Sequence, residues 1–160
     1  MRSHRTARYQ RFVLALTFSL LATVPAQADD AAAIRQAVEN YANSFYQVKP
    51  ELLEASVHPH VQKVGYFIRQ DSTREQWATF WELLHVAETF NVDFKRFDPA
   101  TAKREIRILD QFDRIATARL DAEWGVDYLH LTKLDGEWRI MNVIWQTYPP
   151  EPEAEPATEE

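Results

Sequence analysis

Few side chains in this sequence have chemistry to offer, and their spacing narrows what that chemistry can be. Beyond residue 28 there are four histidines, His58, His60, His85 and His130. His58-Pro59-His60 looks like a metal pair, but the proline breaks the local geometry and no third ligand stands nearby. Glu82 and His85 have the Glu-x-x-His spacing of di-iron bundles, which need a second copy and further glutamates. No metal site is expected. The chain has no cysteine, so thiol catalysis and disulfides are excluded. Its three glycines, Gly65, Gly125 and Gly136, form no phosphate-binding loop, dinucleotide fingerprint or nucleophile elbow. No cofactor is expected.

Two polar residues remain, set among apolar ones in "VDYLHLTKLDGEWRIMNVIW", residues 126–145: Asp127 and Asn142. Asp135-Gly136 between alternating runs signals a two-residue type I′ hairpin, which fixes the register. Leu134 then opposes Glu137, Leu131 opposes Ile140, and Leu129 opposes Asn142. Alternation along unbroken strands puts Asp127, Leu129, Leu131, Trp138, Ile140, Asn142 and Ile144 on one face. Asp127 and Asn142 become diagonal neighbours, roughly 7–8 Å apart, able to share a ligand or a water. A buried carboxylate must be hydrogen-bonded, protonated or open to a cavity. The other face carries Tyr128, Met141, Val143 and Trp145, more apolar surface than solvent calls for, and is expected to meet a partner.

The elements that position these groups begin after a leader. Ile34, Val38, Tyr41 and Phe45 lie at i, i+4, i+7 and i+11, one face of a helix from a cap at Asp30 to about Gln47. Pro50 suits the first turn of a short second helix, "PELLEASV". Val64 to Ile68 reads as a short strand. Ser72 and Glu75 have capping-box spacing, and Trp77, Phe80, Trp81 and Leu84 predict a third, aromatic-faced helix. From residue 90 the period falls to two, predicting strands at about 90–96, 103–110, 114–124, 126–134 and 137–147, joined by short turns as an antiparallel meander. Three helices and then strands make an α+β domain over 29–148, with helices on one face of the sheet.

The ends read differently. Residues 1–11 hold four arginines and no acid, "FVLALTFSLLATV" is an apolar run too short to span a bilayer comfortably, and Ala26 and Ala28 stand in the small-residue positions of a cleavage site. These are the marks of a signal peptide over 1–28, cut after Ala28, giving a periplasmic or secreted protein without a stable membrane anchor. Losing four arginines moves the net charge from −6 to −10, which repels phosphate backbones, so nucleic acid is not an expected partner. The Pro- and Glu-rich end, 149–160, is expected to be disordered.

Three segments carry a resemblance: "AIRQAVENYANSFYQVKPELLEASVHPHVQKVG", "STREQWATFW" and "VDYLHLTKLDGEWRIMNVIWQ". They resemble the Putative lumazine-binding family of secreted bacterial proteins, within the nuclear transport factor 2-like superfamily that includes SnoaL-type cyclases and ketosteroid isomerase. The more specific elements are His58-Pro59-His60 with Lys63 and the hairpin around Asp135-Gly136. The resemblance implies a cone-like fold with a pocket between helices and sheet, and a homodimer through the outer sheet face. It does not carry over lumazine as a ligand. Tyr41, Phe45, Trp81, Asp127 and Asn142 are the expected pocket residues. The expected function is binding of a small molecule or an accessory role in the envelope. The alternatives are a lyase or isomerase with Asp127 and Tyr41 in acid–base roles, as the enzymes of this superfamily suggest, and a dimeric interaction module without a ligand.

Overall fold

A computed structural model describes residues 26–151, with side chains from residue 29. The expected leader, the side chains at its cleavage site and the tail beyond residue 151 lie outside these residues. Three α-helices come first or early: α1 (Ala26–Tyr46), α2 (Pro50–Ser56) and α3 (Phe80–Thr89). The strands are β1 (Val57–Ile68), β2 (Thr73–Ala78), β3 (Arg104–Phe112), β4 (Ile115–Ala122), β5 (Gly125–Leu134) and β6 (Glu137–Gln146). Together they build an α+β domain with a curved, open, six-stranded sheet in the order β2-β1-β6-β5-β4-β3. Among the described residues no helix is long and apolar enough to cross a membrane.

Helix α1 buries the stripe its spacing predicts: Ile34, Val38, Tyr41 and Phe45 are all core residues, joined by Ala37, Ala42 and Tyr46. Each such large apolar side chain contributes about 1.5–3 kcal/mol by leaving water. Asp30 does not cap this helix, which starts earlier. Its carboxylate instead accepts hydrogen bonds from Lys133 Nζ (2.6 Å) and Trp138 Nε1 (2.9 Å), tying α1 to the end of the hairpin.

The middle of the chain departs from the expected pattern. Residues 73–78 form edge strand β2, and α3 starts later, at a capping box made by Thr79 and Glu82 rather than Ser72 and Glu75. The buried face of α3 is therefore Phe80, Leu83 and Ala87, while Trp77 and Trp81 are 62% and 74% exposed. Residues 90–96 are not a strand. They hold a short 3-10 turn, Val92–Phe94, in which Asp93 and Phe94 have positive φ. Buried Asn91 holds this segment: its amide donates to the carbonyls of Tyr46 and Phe97, and its oxygen accepts from the backbone N–H groups of Arg96 and Phe97. Alternation cannot reveal a loop stabilised from inside by one asparagine.

β3 to β6 form the expected antiparallel meander, and β1 adds alongside β6 in parallel. The hairpin turn has positive φ at Asp135 (50°) and Gly136 (87°), as type I′ requires. Leu134 opposes Glu137 and Leu131 opposes Ile140. Beyond that point the register slips: His130 opposes Asn142 and Leu129 opposes Val143, leaving Met141 as the extra residue of a β-bulge. One added residue exchanges the faces of everything after it. Val143 is fully buried and Trp145 turns inward, while Asn142 and Ile144 point outward.

In the β1–β6 pairing Gly65 lies opposite Trp145. A Cβ on Gly65 would lie 1.8 Å from the Trp145 carbonyl oxygen and 2.5 Å from its indole ring. Gly65→Ala is therefore expected to destabilise the protein by about 3 kcal/mol or more, read as a lower urea midpoint with loss of Trp145 near-ultraviolet signal. An alanine variant as stable as wild type would show that the strands can part at this point.

Candidate functional site

The inner faces of three elements converge on one polar cluster. Tyr41 comes from the buried stripe of α1, Lys63 from the inward positions Val61, Lys63, Gly65 of β1, and Asp127 from the inward positions Asp127, Leu129, Leu131 of β5. Tyr41 Oη donates to Asp127 Oδ2 at 2.8 Å. Lys63 Nζ donates to Tyr41 Oη at 2.6 Å and to the same Asp127 oxygen at 3.2 Å. Trp124, in the β4–β5 turn, donates its indole N–H to Asp127 Oδ1 at 3.1 Å. Both carboxylate oxygens are thus engaged, and Asp127 and Tyr41 are fully buried. The carboxylate is satisfied by three donors from three elements, which is what burial demands of it.

Lys63 differs from its partners in one respect. It reaches the wall of a cavity of about 250 Å³ between α1, α3 and the β2-β1-β6 edge of the sheet. Phe45, Phe67, Leu83, Val86, Phe90, Trp124 and Trp145 line most of it, with Gln76 and Thr147 as its neutral polar side chains. Lys63 is the one charged group among the lining residues. Its Nζ lies 4.8 Å from the centre of the Trp145 ring and 5.4 Å from that of Tyr41, within cation–π range of both. Phe45 and Phe90 each pack edge-on against Trp124, fixing the wall beside the amine.

Burial sets the electrostatics. It holds the Lys63 ammonium below the usual lysine range, against the opposing pull of Asp127 beside it. It also pushes the Tyr41 hydroxyl well above the usual phenol value, and the neighbouring carboxylate adds to this. Tyr41 is therefore a neutral donor at physiological pH. A second tyrosine, Tyr46, is pushed up to about 12, again by burial, and serves the scaffold: it donates to the Lys103 carbonyl and accepts from the Glu123 N–H.

Of the five pocket residues expected from the sequence, the structure brings Tyr41, Phe45 and Asp127 together. It does not bring the other two. Asn142 faces outward because of the Met141 bulge; its side chain meets His130 at 3.2 Å and donates to the Gln62 carbonyl at 3.0 Å. Trp81 is exposed because α3 starts at Phe80, capped by Thr79, which turns Phe80 and Leu83 inward in its place. The same bulge corrects the expected partner face. Tyr128 and Met141 do belong to the outer side, but Val143 is core and Trp145 lines the cavity. Two residues of the site are not among those expected there: Lys63, marked in the sequence only as part of the His58-Pro59-His60 element, and Trp124. Lys63 shares an i, i+2 pattern with Val61, Gly65 and Phe67, and a strand begun at Val57 instead of Val64 would have exposed it as a cation on an apolar face. Among the described residues no group of three or more His, Asp or Glu side chains is placed to hold a metal.

The Putative lumazine-binding family matches residues 29–146. No curated protein matches the chain. Among solved structures the chain is similar to an NTF2-like protein of unknown function from Shewanella baltica, at 22% identity and a TM-score of 0.59, over 77% of this chain and 97% of that one. It is similar to another NTF-2 like protein of unknown function, from Silicibacter pomeroyi, at 18% identity and a TM-score of 0.59, over 76% and 98%. A protein from Novosphingobium aromaticivorans named Putative Scytalone Dehydratase is similar at 15% identity and a TM-score of 0.54, over 84% and 97%. At these identities the likeness concerns the fold alone.

Removing one partner from a buried ion pair costs about 3–5 kcal/mol, because the other is left uncompensated. Asp127→Leu strands Lys63, Tyr41 and Trp124 at once and is expected to reach that range. Lys63→Met should cost less, since Asp127 keeps two donors. The double variant should cost less than the sum of the two, by urea denaturation. Additive losses would mean that the pair is not energetically coupled.

Proposed function

The chain belongs to the Putative lumazine-binding family of the nuclear transport factor 2-like superfamily, and on that premise we propose that it is an exported small-molecule-binding protein whose ligand occupies the cavity in front of Lys63. The observation that carries this reading is a preformed apolar cavity with a single charged group on its wall. That is the usual make-up of a small-molecule site, in which apolar walls supply affinity and a few polar groups fix orientation.

The walls select the class of ligand. A dry apolar cavity of about 150 Å³ accommodates benzene, so about 250 Å³ suits a molecule of roughly two fused rings. Lumazine has more ring nitrogens and carbonyls than Lys63, Gln76 and Thr147 can serve, and each unpaired one would cost free energy on burial. A carboxylate is disfavoured too, because Asp127 already neutralises Lys63. A flat, largely apolar molecule bearing one carbonyl oxygen fits best. The acid–base alternative gains less support: Asp127 and Tyr41 are absent from the cavity wall, and both oxygens of Asp127 are occupied.

Export rests on the leader and on the family match, which begins at residue 29, just after the expected cleavage site. A homodimer through the outer sheet face is the accompanying proposal. Its revised residues are Tyr128, Met141 and Ile144, beside exposed Phe112 and Ile115.

Titration with 2-acetylnaphthalene should quench the fluorescence of the purified protein, since Trp124 and Trp145 line the cavity. Naphthalene-2-carboxylate and lumazine should each bind at least about tenfold weaker, a difference of about 1.4 kcal/mol. Equal or tighter binding of lumazine would overturn the proposed ligand class. In light scattering the wild type should have twice the chain mass and Ile144→Glu the chain mass; a monomeric wild type would refute the dimer.

A further inference from the structure

The placement of Lys63 goes beyond a hydrogen bond to a carbonyl oxygen. Lys63 lines an apolar cavity, and its Nζ lies 4.8 Å from the centre of the cavity-lining Trp145 ring, 2.6 Å from a phenol and 3.2 Å from a carboxylate, those two groups being hydrogen-bonded to each other. We propose that Lys63 captures the carbonyl carbon of an aromatic aldehyde or ketone as an imine, with Tyr41 and Asp127 carrying the protons. This rests on the reading of the cavity as a ligand site and deepens it.

Imine formation needs a neutral amine, an electrophile held against it and a route for two protons. An exposed lysine with an ordinary pKa near 10.4 is only about 0.04% neutral at pH 7. Burial shifts Lys63 toward the neutral amine, in the direction the reaction needs. The aromatic walls, Phe45, Phe67, Phe90, Trp124 and Trp145, can hold a flat carbonyl compound beside Nζ.

The steps balance without any other reagent. The Nζ lone pair forms a bond to the carbonyl carbon, and the C=O π pair moves to oxygen. Asp127 takes the proton leaving nitrogen, directly or through the Tyr41 hydroxyl, and returns one to the alkoxide to give a carbinolamine. A second proton moved the same way lets the hydroxyl depart as water while the nitrogen lone pair closes the C=N bond. Amine and carbonyl give imine and water, and Asp127 ends in the ionisation state in which it began. Once carbon is bonded to Nζ, the carbinolamine oxygen lies next to the Tyr41 hydroxyl, 2.6 Å from that nitrogen, so the protons reach it without Asp127 or Tyr41 entering the cavity.

The test is reductive trapping on the purified full chain at pH 7, with naphthalene-2-carbaldehyde as probe and cyanoborohydride as hydride donor. Peptide mapping after partial reaction compares Lys63 with Lys95, an exposed lysine. The expected result is one naphthylmethyl group on Lys63, added at least tenfold faster than on Lys95. Lys63→Arg keeps a cation next to Tyr41 and Asp127 and should lose that adduct while the aldehyde still quenches tryptophan fluorescence. Quenching in the wild type with modification spread over surface lysines would overturn the imine and leave the cavity reading intact. No quenching and no adduct on Lys63 would overturn both. A Lys63→Arg protein carrying the same single adduct would also overturn the assignment.

Discussion

The structure depends on one buried ion pair. Lys63 and Asp127 meet inside a core otherwise built of Ile, Leu, Val, Ala and aromatic side chains, and Tyr41 bridges them. Each of the three comes from a different element, so the pair is made only when α1, β1 and β5 are mutually placed. Two charges withdrawn from water are tolerable only when every lone pair and proton has a partner. Trp124 supplies the last of these, and in doing so it fixes the β4–β5 turn and one wall of the cavity. The polar cluster therefore specifies the arrangement of elements more than it adds to their stability.

The cavity follows from the same constraint. Between α1, α3 and the β2-β1-β6 edge of the sheet, large rings fill most of the gap without closing it. Phe45, Phe90 and Trp124 pack edge to face, the arrangement the ring quadrupoles prefer, along one side of the cavity. Lys63 is drawn to one side by Tyr41 and Asp127. Its charge is balanced there, and its amine stays at the wall.

Local periodicity made much of the architecture legible. The stripe Ile34, Val38, Tyr41, Phe45 located α1 and its inward face, and Asp135-Gly136 located the hairpin and its turn type. Tyr41 and Asp127 stood out as polar groups on apolar faces for the same reason. What was not legible depended on partners distant in sequence. Trp77 and Trp81 have the spacing of a buried helical face, but residues 73–78 pair with β1 as an edge strand, and that pairing overrides the pattern. Residues 90–96 alternate as a strand does, yet Asn91 binds carbonyls of α1 and of its own loop instead of a neighbouring strand. Lys63 shows itself on the inward face only when β1 is extended back to Val57, and nothing local to the sequence marks that start.

The extra residue at Met141 has a wider consequence. A β-strand has a reading frame of two, and this insertion shifts the frame partway along β6. Before it, Trp138 and Ile140 face the core; after it, Val143 and Trp145 do. Point substitutions can vary the cavity wall or the outer surface separately, because each position belongs to one side. Deleting Met141 would straighten the strand and leave both faces as they are, whereas regular pairing with Met141 retained would send Asn142 and Ile144 inward and Trp145 into solvent. Substitution can thus retune the ligand or the partner separately, while the pairing that leaves Met141 unmatched decides which residues after it belong to which side.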